Sequence, residues 1–506
     1  MTESYVPILV GAAQYTQPKD ALFPLDPLGM MTSACTCAFD DAGVDKLKEI
    51  IDTLYVVNLF QWPYRDAPGM LSNALGIMPA KRHYLPIGGN TPEMLVHKAA
   101  RDLASGKSRA VLFTGAEAIY SLRRALKGDV VLDWPTSEPP EKIDGADLPG
   151  VNDLEAAYDL FMPSYVYPLF ETALRASARR SPYEHRLYMA GLWERLSNIA
   201  SANPYAWNQQ ALSAEQIAAI NNENRYIGYP YTKSMNANIN VDQSAAIIMT
   251  TEEAARGLGI SPEKWVYPLG GADLNDIWNF SKRPRLDRSP AIRNASQIAL
   301  DQAGLRLDEI DVFDLYSCFP SAVEIAMDEI GIAWDDPRPL SVTGGLAYFG
   351  GPGNNYTMHA IAGVVEKIRR DRSLKAMVTA NGWYITKHSI GIYGGSAPKN
   401  QWTMRDDSSM QSSIDAQALA EPVEKAQGAL KVEAYVIRHG RDSQPEKGTV
   451  LGRLNDNTRT FAHIDATKEA LSRMEETEMV GTIGDVRFDQ ESGRNLVVFP
   501  EFPFTK

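Results

Sequence analysis

Residues 88–97 read GGNTPEMLVH and residues 350–359 read GGPGNNYTMH. Each runs from a Gly pair to a His eight residues beyond the second Gly. Upstream, AFDDAGV (38–44) pairs with ALDQAGL (299–305), each closing a helical stretch with Gly near the C-cap. Each leads into an apolar strand, IDTLYVVNLF (51–60) or IDVFDLYSCF (310–319). Downstream, a helix leads to a second apolar strand, AVLFTGAEA (110–118) or AMVTANGWY (376–384). Both units therefore read helix, strand, Gly-Gly turn, helix, strand. This alternation predicts a duplicated, layered α/β core with sheets buried on both faces. The two Gly-Gly turns are expected to face one shared cleft. Thr91 and Pro92 read as N-cap and first helical residue. His97 and His359 read as core or interface histidines.

Residues 119–235 interrupt the alternation. They are rich in aromatics, among them Tyr158, Tyr165, Tyr167, Phe170 and Trp193, and predict an inserted, mostly helical subdomain. Arg175, Arg179 and Arg180 cluster there. Their plain reading is a solvated helix face; their functional reading is a surface for a polyphosphate such as coenzyme A. The polar stretch 401–425 reads as a linker. Beyond it, short alternating segments such as KVEAYVI (431–437), RTFAHI (459–464) and NLVVF (495–499) predict a small β-barrel, OB-like by preference. The expected division is a first half (1–118 with 236–265), the insert (119–235), a second half (266–400), the linker (401–425) and a β-rich domain (426–506).

Composition narrows the function classes. The formal net charge is −13 and no basic block recurs, so nucleic acid is not an expected partner. No apolar run is long enough to span a bilayer, and the start carries no secretory pattern, so a soluble cytoplasmic protein is expected. The three cysteines, Cys35, Cys37 and Cys318, form no disulfide framework. Cys35 and Cys37 read as small apolar residues of a helix around 27–42, and no metal site is expected.

With these segments in view, residues 6–400 resemble the thiolase superfamily, above all the sterol-carrier-protein-type thiolases. IRNASQIALDQAGLRLDEIDVFDLYSCFPSAVEIAMDEIGI (292–332) is similar to the segment bearing their His-Asp-Cys-Phe motif. TGGLAYFGGPG (343–353) is similar to the segment bearing Gly-His-Pro. The C-terminal addition resembles the type-1 thiolase-like proteins. The resemblance implies a thiolase-type α/β/α core with a helical loop domain, an acyl-CoA or CoA partner, and a CoA thioester as substrate, with no covalently bound cofactor. It implies acyl transfer or carbon–carbon chemistry of the acetyl-CoA acetyltransferase kind in lipid metabolism, with a homodimer as the candidate assembly.

Carried over by position, the resemblance places Gly89 where those enzymes carry the nucleophilic Cys, and Gly351 where they carry the His of Gly-His-Pro. Tyr316 and Ser317 stand for the His and Asp of His-Asp-Cys-Phe. Cys318 and Phe319 keep the motif's last two residues, and Asn381 takes the Cys of Cys-x-Gly. A glycine cannot be acylated, so ordinary thiolysis is not expected. The acid/base candidates are Cys318, Tyr316 and His388; the substrate-binding candidates are Gly89, Asn90, Gly350, Gly351 and Asn381. His388, beside Lys387 after the strand ending near Asn381, reads as a proton carrier at the lip of the cleft. Cys318, just ahead of Pro320, reads as a thiol at a helix N-terminus with its thiolate favoured. Two functions compete: retro-aldol cleavage of a β-hydroxyacyl-CoA, and non-catalytic acyl-CoA binding.

Overall fold

The computed structural model describes residues 5–403 and 407–502. The first half contributes β1 (Pro7–Thr16), β2 (Thr53–Val56), β3 (Lys81–Tyr84) and β4 (Ala110–Ala118). The insert carries β5 (Tyr226–Tyr229) and β6 (Tyr231–Thr232), and β7 (Asp242–Thr251) returns to the first half. The second half holds β8 (Tyr267–Asn275), β9 (Val312–Asp314), β10 (Lys375–Gly382) and β11 (Lys387–Gly394). The C-terminal strands are β12 (Gly428–His439), β13 (Pro445–Leu454), β14 (Arg459–Ile464), β15 (Ile483–Asp489) and β16 (Arg494–Val498).

The duplication is explicit in the strand order. The first sheet runs β1-β7-β4-β2-β3 and the second β8-β11-β10-β9. In each, the first two pairings of this order are antiparallel and the third is parallel. β7 lies between two neighbours and all ten of its residues are buried, which accounts for its nearly unbroken run of small and apolar residues. Gly43 and Gly304, in the left-handed region at φ 78° and 64°, end the equivalent helices Pro27–Ala42 and Pro290–Ala303.

Helices Thr91–Ala104 and Tyr356–Arg370 lie between the two sheets. Their apolar residues, Leu95, Val96, Ala99 and Leu103 with Ile361, Val364, Val365 and Ile368, form one core with both sheets. Each such Leu, Val or Ile is worth about 1.5–3 kcal/mol when fully buried. Helix Pro27–Ala42 packs on the first sheet and Pro290–Ala303 on the second. Cys35 sits buried and Cys37 exposed on the first of these helices. The cap of helix Thr91–Ala104 differs from expectation: Asn90 is the N-cap, and Thr91 is already helical.

The regular structure of the insert is chiefly helical, with its longest helices at Pro163–Ser177 and Pro182–Ser201, but residues 129–152 form neither helix nor strand. In the C-terminal region β13-β14-β16-β15-β12 closes through a β12–β13 pairing into a five-stranded barrel. β5 of the insert adds to this barrel by pairing with β12 at Tyr229 and Gly228.

The stretch 401–425 is not a bare linker. Within its described residues, Trp402 donates to the Pro268 carbonyl at 2.8 Å, and helix Ser408–Asp415 buries Ile414. Leu419 and Val423 donate backbone N–H groups to Lys282 and Arg459 carbonyls. One apolar residue per turn is enough to dock so short a helix, and a periodicity search does not register it.

Candidate active site

The Gly88-Gly89 turn enters helix Thr91–Ala104, and the second turn reaches it through side chains. Gly88 N–H donates to Asn354 Oδ1 at 2.8 Å, and Thr357 Oγ1 donates to the Gly89 carbonyl at 3.0 Å. Asn354 and Thr357, just beyond the second Gly pair, therefore border the Gly88-Gly89 turn, whereas Gly350 faces Gln243 and Val241 and Gly351 faces Leu346. The space beside Gly89 is occupied. A Cβ there would collide with the Tyr316 hydroxyl and stand 2.5 Å from the Asn381 carbonyl oxygen. Tyr316 follows β9, its backbone N–H fixed by Thr379 Oγ1 at 2.9 Å, and this aims its phenol at the turn.

Tyr316, Asn381 and His388 line one cavity of about 10 Å³, walled otherwise by apolar side chains including Ile292, Ala326, Ile385 and Ile390. That volume holds about one water. Cys318 joins the group: Asn381 Nδ2 lies 3.8 Å from its Sγ and donates to Tyr167 Oη at 3.0 Å. Tyr167 in turn donates to the Trp383 carbonyl at 2.8 Å.

Two expectations about protonation and position change. Cys318 does precede helix Pro320–Ile330, with Phe319 as N-cap. Burial, however, pushes its thiol up to about 12, outweighing the polar groups of Tyr167 and Asn381 beside it. The thiol is neutral near pH 7 because desolvation of a thiolate costs more than the helix end returns. Tyr316 is likewise held protonated, by burial first and by Cys318 second. His388 is no lip residue: it lies inside β11, 3 % exposed, with Nε2 3.2 Å from Asp276 Oδ2. The turn between β10 and β11 is only residues 383–386, so β11 begins at Lys387 and carries His388 straight into the sheet.

Other residues complete the centre. The Lys387 amine donates to the Ile87 carbonyl and would stand 2.6 Å from a Cβ on Gly88; burial lowers it to about 8. Asn90 donates to Ser389 Oγ at 3.3 Å, while its buried Oδ1 has no hydrogen-bond partner. The hairpin turn over the site holds Trp383 and Ile385 at φ 56° and 53°, a region that costs a β-branched residue strain. Gly350, at φ 117°, abuts Gln243 and Val241, and Gly351 donates to the Asn238 carbonyl at 2.8 Å.

Residues 409–491 match the family model of the thiolase-like protein type 1 additional C-terminal domain. The whole fold superposes on the crystal structure of a monomeric SCP2-thiolase-like protein type 1 from Mycobacterium smegmatis. The TM-score is 0.85 at 31% identity, over 99% of this chain and 100% of that one. The chain belongs to the SCP2-thiolase-like protein type 1 family. A probable acetyl-CoA acetyltransferase of Mycobacterium tuberculosis is 28% identical over 123 residues, which span 24% of this chain and only 28% of that protein. The Ltp2-ChsH2(DUF35) aldolase shares the fold at TM-score 0.57 and 18% identity, over 77% of this chain and 97% of that one. Among the described residues, no helix is long and apolar enough to cross a membrane.

In this SCP2-thiolase-like chain the arginine cluster does not act as one surface. Arg175 is fully buried between the insert and the barrel, paired with Glu478 at 2.8 Å and bonded to the Tyr229 and Tyr435 hydroxyls. It is a strut between domains and is unavailable to a polyphosphate. Arg180 stacks on Tyr188 and faces Glu324, leaving Arg179 exposed. Sequence reasoning also passed over Tyr167 and Asp276. Tyr167 stood out only as one aromatic among many, and no local spacing links Asp276 to His388.

Proposed function

We propose that this protein binds a CoA thioester in the cleft between its halves and cleaves the C2–C3 bond of a β-hydroxyacyl group without an acyl-enzyme. The observation that carries this reading is the Tyr316 hydroxyl standing where a nucleophilic side chain on residue 89 would need to be. Retro-aldol chemistry requires no nucleophile. His388, with Nε2 3.2 Å from Asp276 Oδ2, takes the proton of the C3 hydroxyl. The C2–C3 bond breaks, C3 leaves as an aldehyde or ketone carbonyl, and the electron pair passes to C2 and the thioester enolate. Tyr316 and Asn381 face the enolate as neutral groups, the Cys318 thiol gives its proton to C2 and regains one from the His388 imidazolium, and a shortened acyl-CoA is left. The shared fold with the Ltp2-ChsH2(DUF35) aldolase supports the reaction class by analogy alone.

The closed, roughly water-sized centre favours a second reading, in which the chain binds acyl-CoA without turnover. One experiment separates the two. A β-hydroxyacyl-CoA is incubated with the protein, and aldehyde and shortened acyl-CoA are quantified. Turnover that falls about 10²–10⁴-fold in His388→Asn, with binding retained, supports the lyase. Binding without turnover supports the second reading, and thiolysis of a 3-oxoacyl-CoA at an ordinary rate overturns both.

A further inference from the structure

A second cluster of ionisable groups lies in the insert, under the start of helix Pro320–Ile330. Glu171 on helix Pro163–Ser177, His185 on helix Pro182–Ser201 and Glu324 on helix Pro320–Ile330 each send one ligand-type atom to a common point, all within 4.8 Å of one another. Their side chains are 0, 1 and 5 % exposed. We propose that these three residues bind one divalent transition-metal ion, of the zinc or manganese class, which braces the three helices together.

Three observations support it. His185 Nε2 lies 2.5 Å from Glu171 Oε1 and 3.9 Å from Glu324 Oε1, so modest separation of the first pair admits an ion at ordinary bond lengths near 2.1 Å. The second oxygen of Glu171 is already engaged, accepting from the Tyr231 hydroxyl at 2.7 Å, and Tyr231 is tied to Ser321 at 2.7 Å. This is the outer support that orients a ligating carboxylate. Finally, Glu324 Oε1 is buried without a hydrogen-bond partner and points into the cluster.

Arg180, partly solvated, lies 3.6 Å from Glu324 Oε2 on the rim of the cluster. One nitrogen and two oxygens suit zinc or manganese, whereas calcium takes six to eight oxygens. The competing arrangement is a proton shared between Glu171 and Glu324. In it, His185 donates from Nε2 to Glu171 and accepts at Nδ1 from Arg180 Nη1, 3.3 Å away. Metal on Nε2 moves that proton to Nδ1 and releases Arg180, so the two arrangements make opposite demands on Arg180.

The test uses the full chain, stripped with a chelator and titrated with Zn²⁺ and Mn²⁺ by calorimetry. X-ray absorption on the zinc-loaded protein reads the ligands. The proposal expects one ion per chain, a nitrogen/oxygen shell without sulfur, and at least about tenfold weaker binding in His185→Gln and Glu324→Gln. Arg180→Gln, on the rim of the cluster, is expected to bind as tightly or more tightly than the parent. It also serves as the probe if the buried variants do not fold. Absence of stoichiometric binding overturns the proposal in favour of the shared proton. So does undiminished binding in His185→Gln, or weakening in Arg180→Gln.

Discussion

The two halves share a strand order and set a histidine at the same distance from a Gly pair, yet they hold those histidines in opposite charge states. In the first half His97 meets Asp273 at 2.9 Å and Glu93 at 3.2 Å, with Arg101 3.7 Å from Asp273. Burial lowers its pKa, but Asp273 and Glu93 more than reverse this and lift it to about 9. In the second half His359 meets only the Gln14 side chain, at 3.0 Å, and the Phe349 ring; burial lowers it to about 3. The same position in a duplicated frame thus became a buried ion pair on one side and a neutral hydrogen-bonded ring on the other. Repeat geometry specifies where a side chain lies, and its neighbours across the sheet specify its charge.

The most severe way to break this arrangement is to close the gap that admits His97. A Cβ on Gly271 would collide with the His97 ring, and one on Gly115 would stand 2.7 Å from Oδ1 of Asn355, the N-cap of helix Tyr356–Arg370. Gly271→Ala and Gly115→Ala are each expected to cost about 3 kcal/mol or more in urea unfolding, because helix and sheet must separate.

The pH dependence sharpens the comparison. His97 has a folded pKa above its unfolded value of about 6.5, so its contribution is complete below that pH and is lost as pH rises through 9. His359 has a depressed folded pKa, so its contribution is present above about 6.5 and is lost as pH falls toward 3. Each limb has a slope of about 1.4 kcal/mol per pH unit. His97→Gln is expected to flatten the alkaline limb and His359→Gln the acid limb, read as differences from the parent in denaturation midpoints across pH.

Gly89→Cys restores a thiol beside Gly88, but its Cβ meets the Tyr316 hydroxyl. The expected result is a loss of about 1–3 kcal/mol without thiolysis, with stability recovered in the double variant Gly89→Cys, Tyr316→Ala. Additive losses in the double variant would show that the two side chains do not compete for space.

The smallest effect belongs to Arg179, exposed at φ 54°. Arg179→Gly is expected to stabilise by about 0.5–1 kcal/mol and leave CoA-thioester affinity unchanged. A tenfold loss of affinity would instead place Arg179 at the phosphates.

The fold was legible in sequence wherever a short-range rule operates. Gly43 and Gly304 mark helix ends because only the left-handed region closes them there, and the all-buried β7 needs an apolar run. The barrel showed itself through alternation, and its closure is confirmed by the β12–β13 pairing. Of the candidate residues, Tyr316, Asn381 and His388 line one cavity, and their grouping was legible in sequence. Their states were not. The thiolate expected at Cys318 follows from the helix end alone, and the burial that overrides it arises only in the packed fold. The reading of Arg175 failed for the same reason, since Glu478, Tyr229 and Tyr435 reach it from distant segments.

The claim on which the account turns is that position 89 carries no acyl group and that no other residue takes its place. Intact-protein mass spectrometry after incubation with acetoacetyl-CoA, followed by peptide mapping, tests it directly. The account predicts unmodified protein, with Cys318 free and the acetoacetyl-CoA intact. A stable acetyl adduct on Cys318, or on the Lys387 amine beside Gly88, accompanied by release of acetyl-CoA, would contradict it.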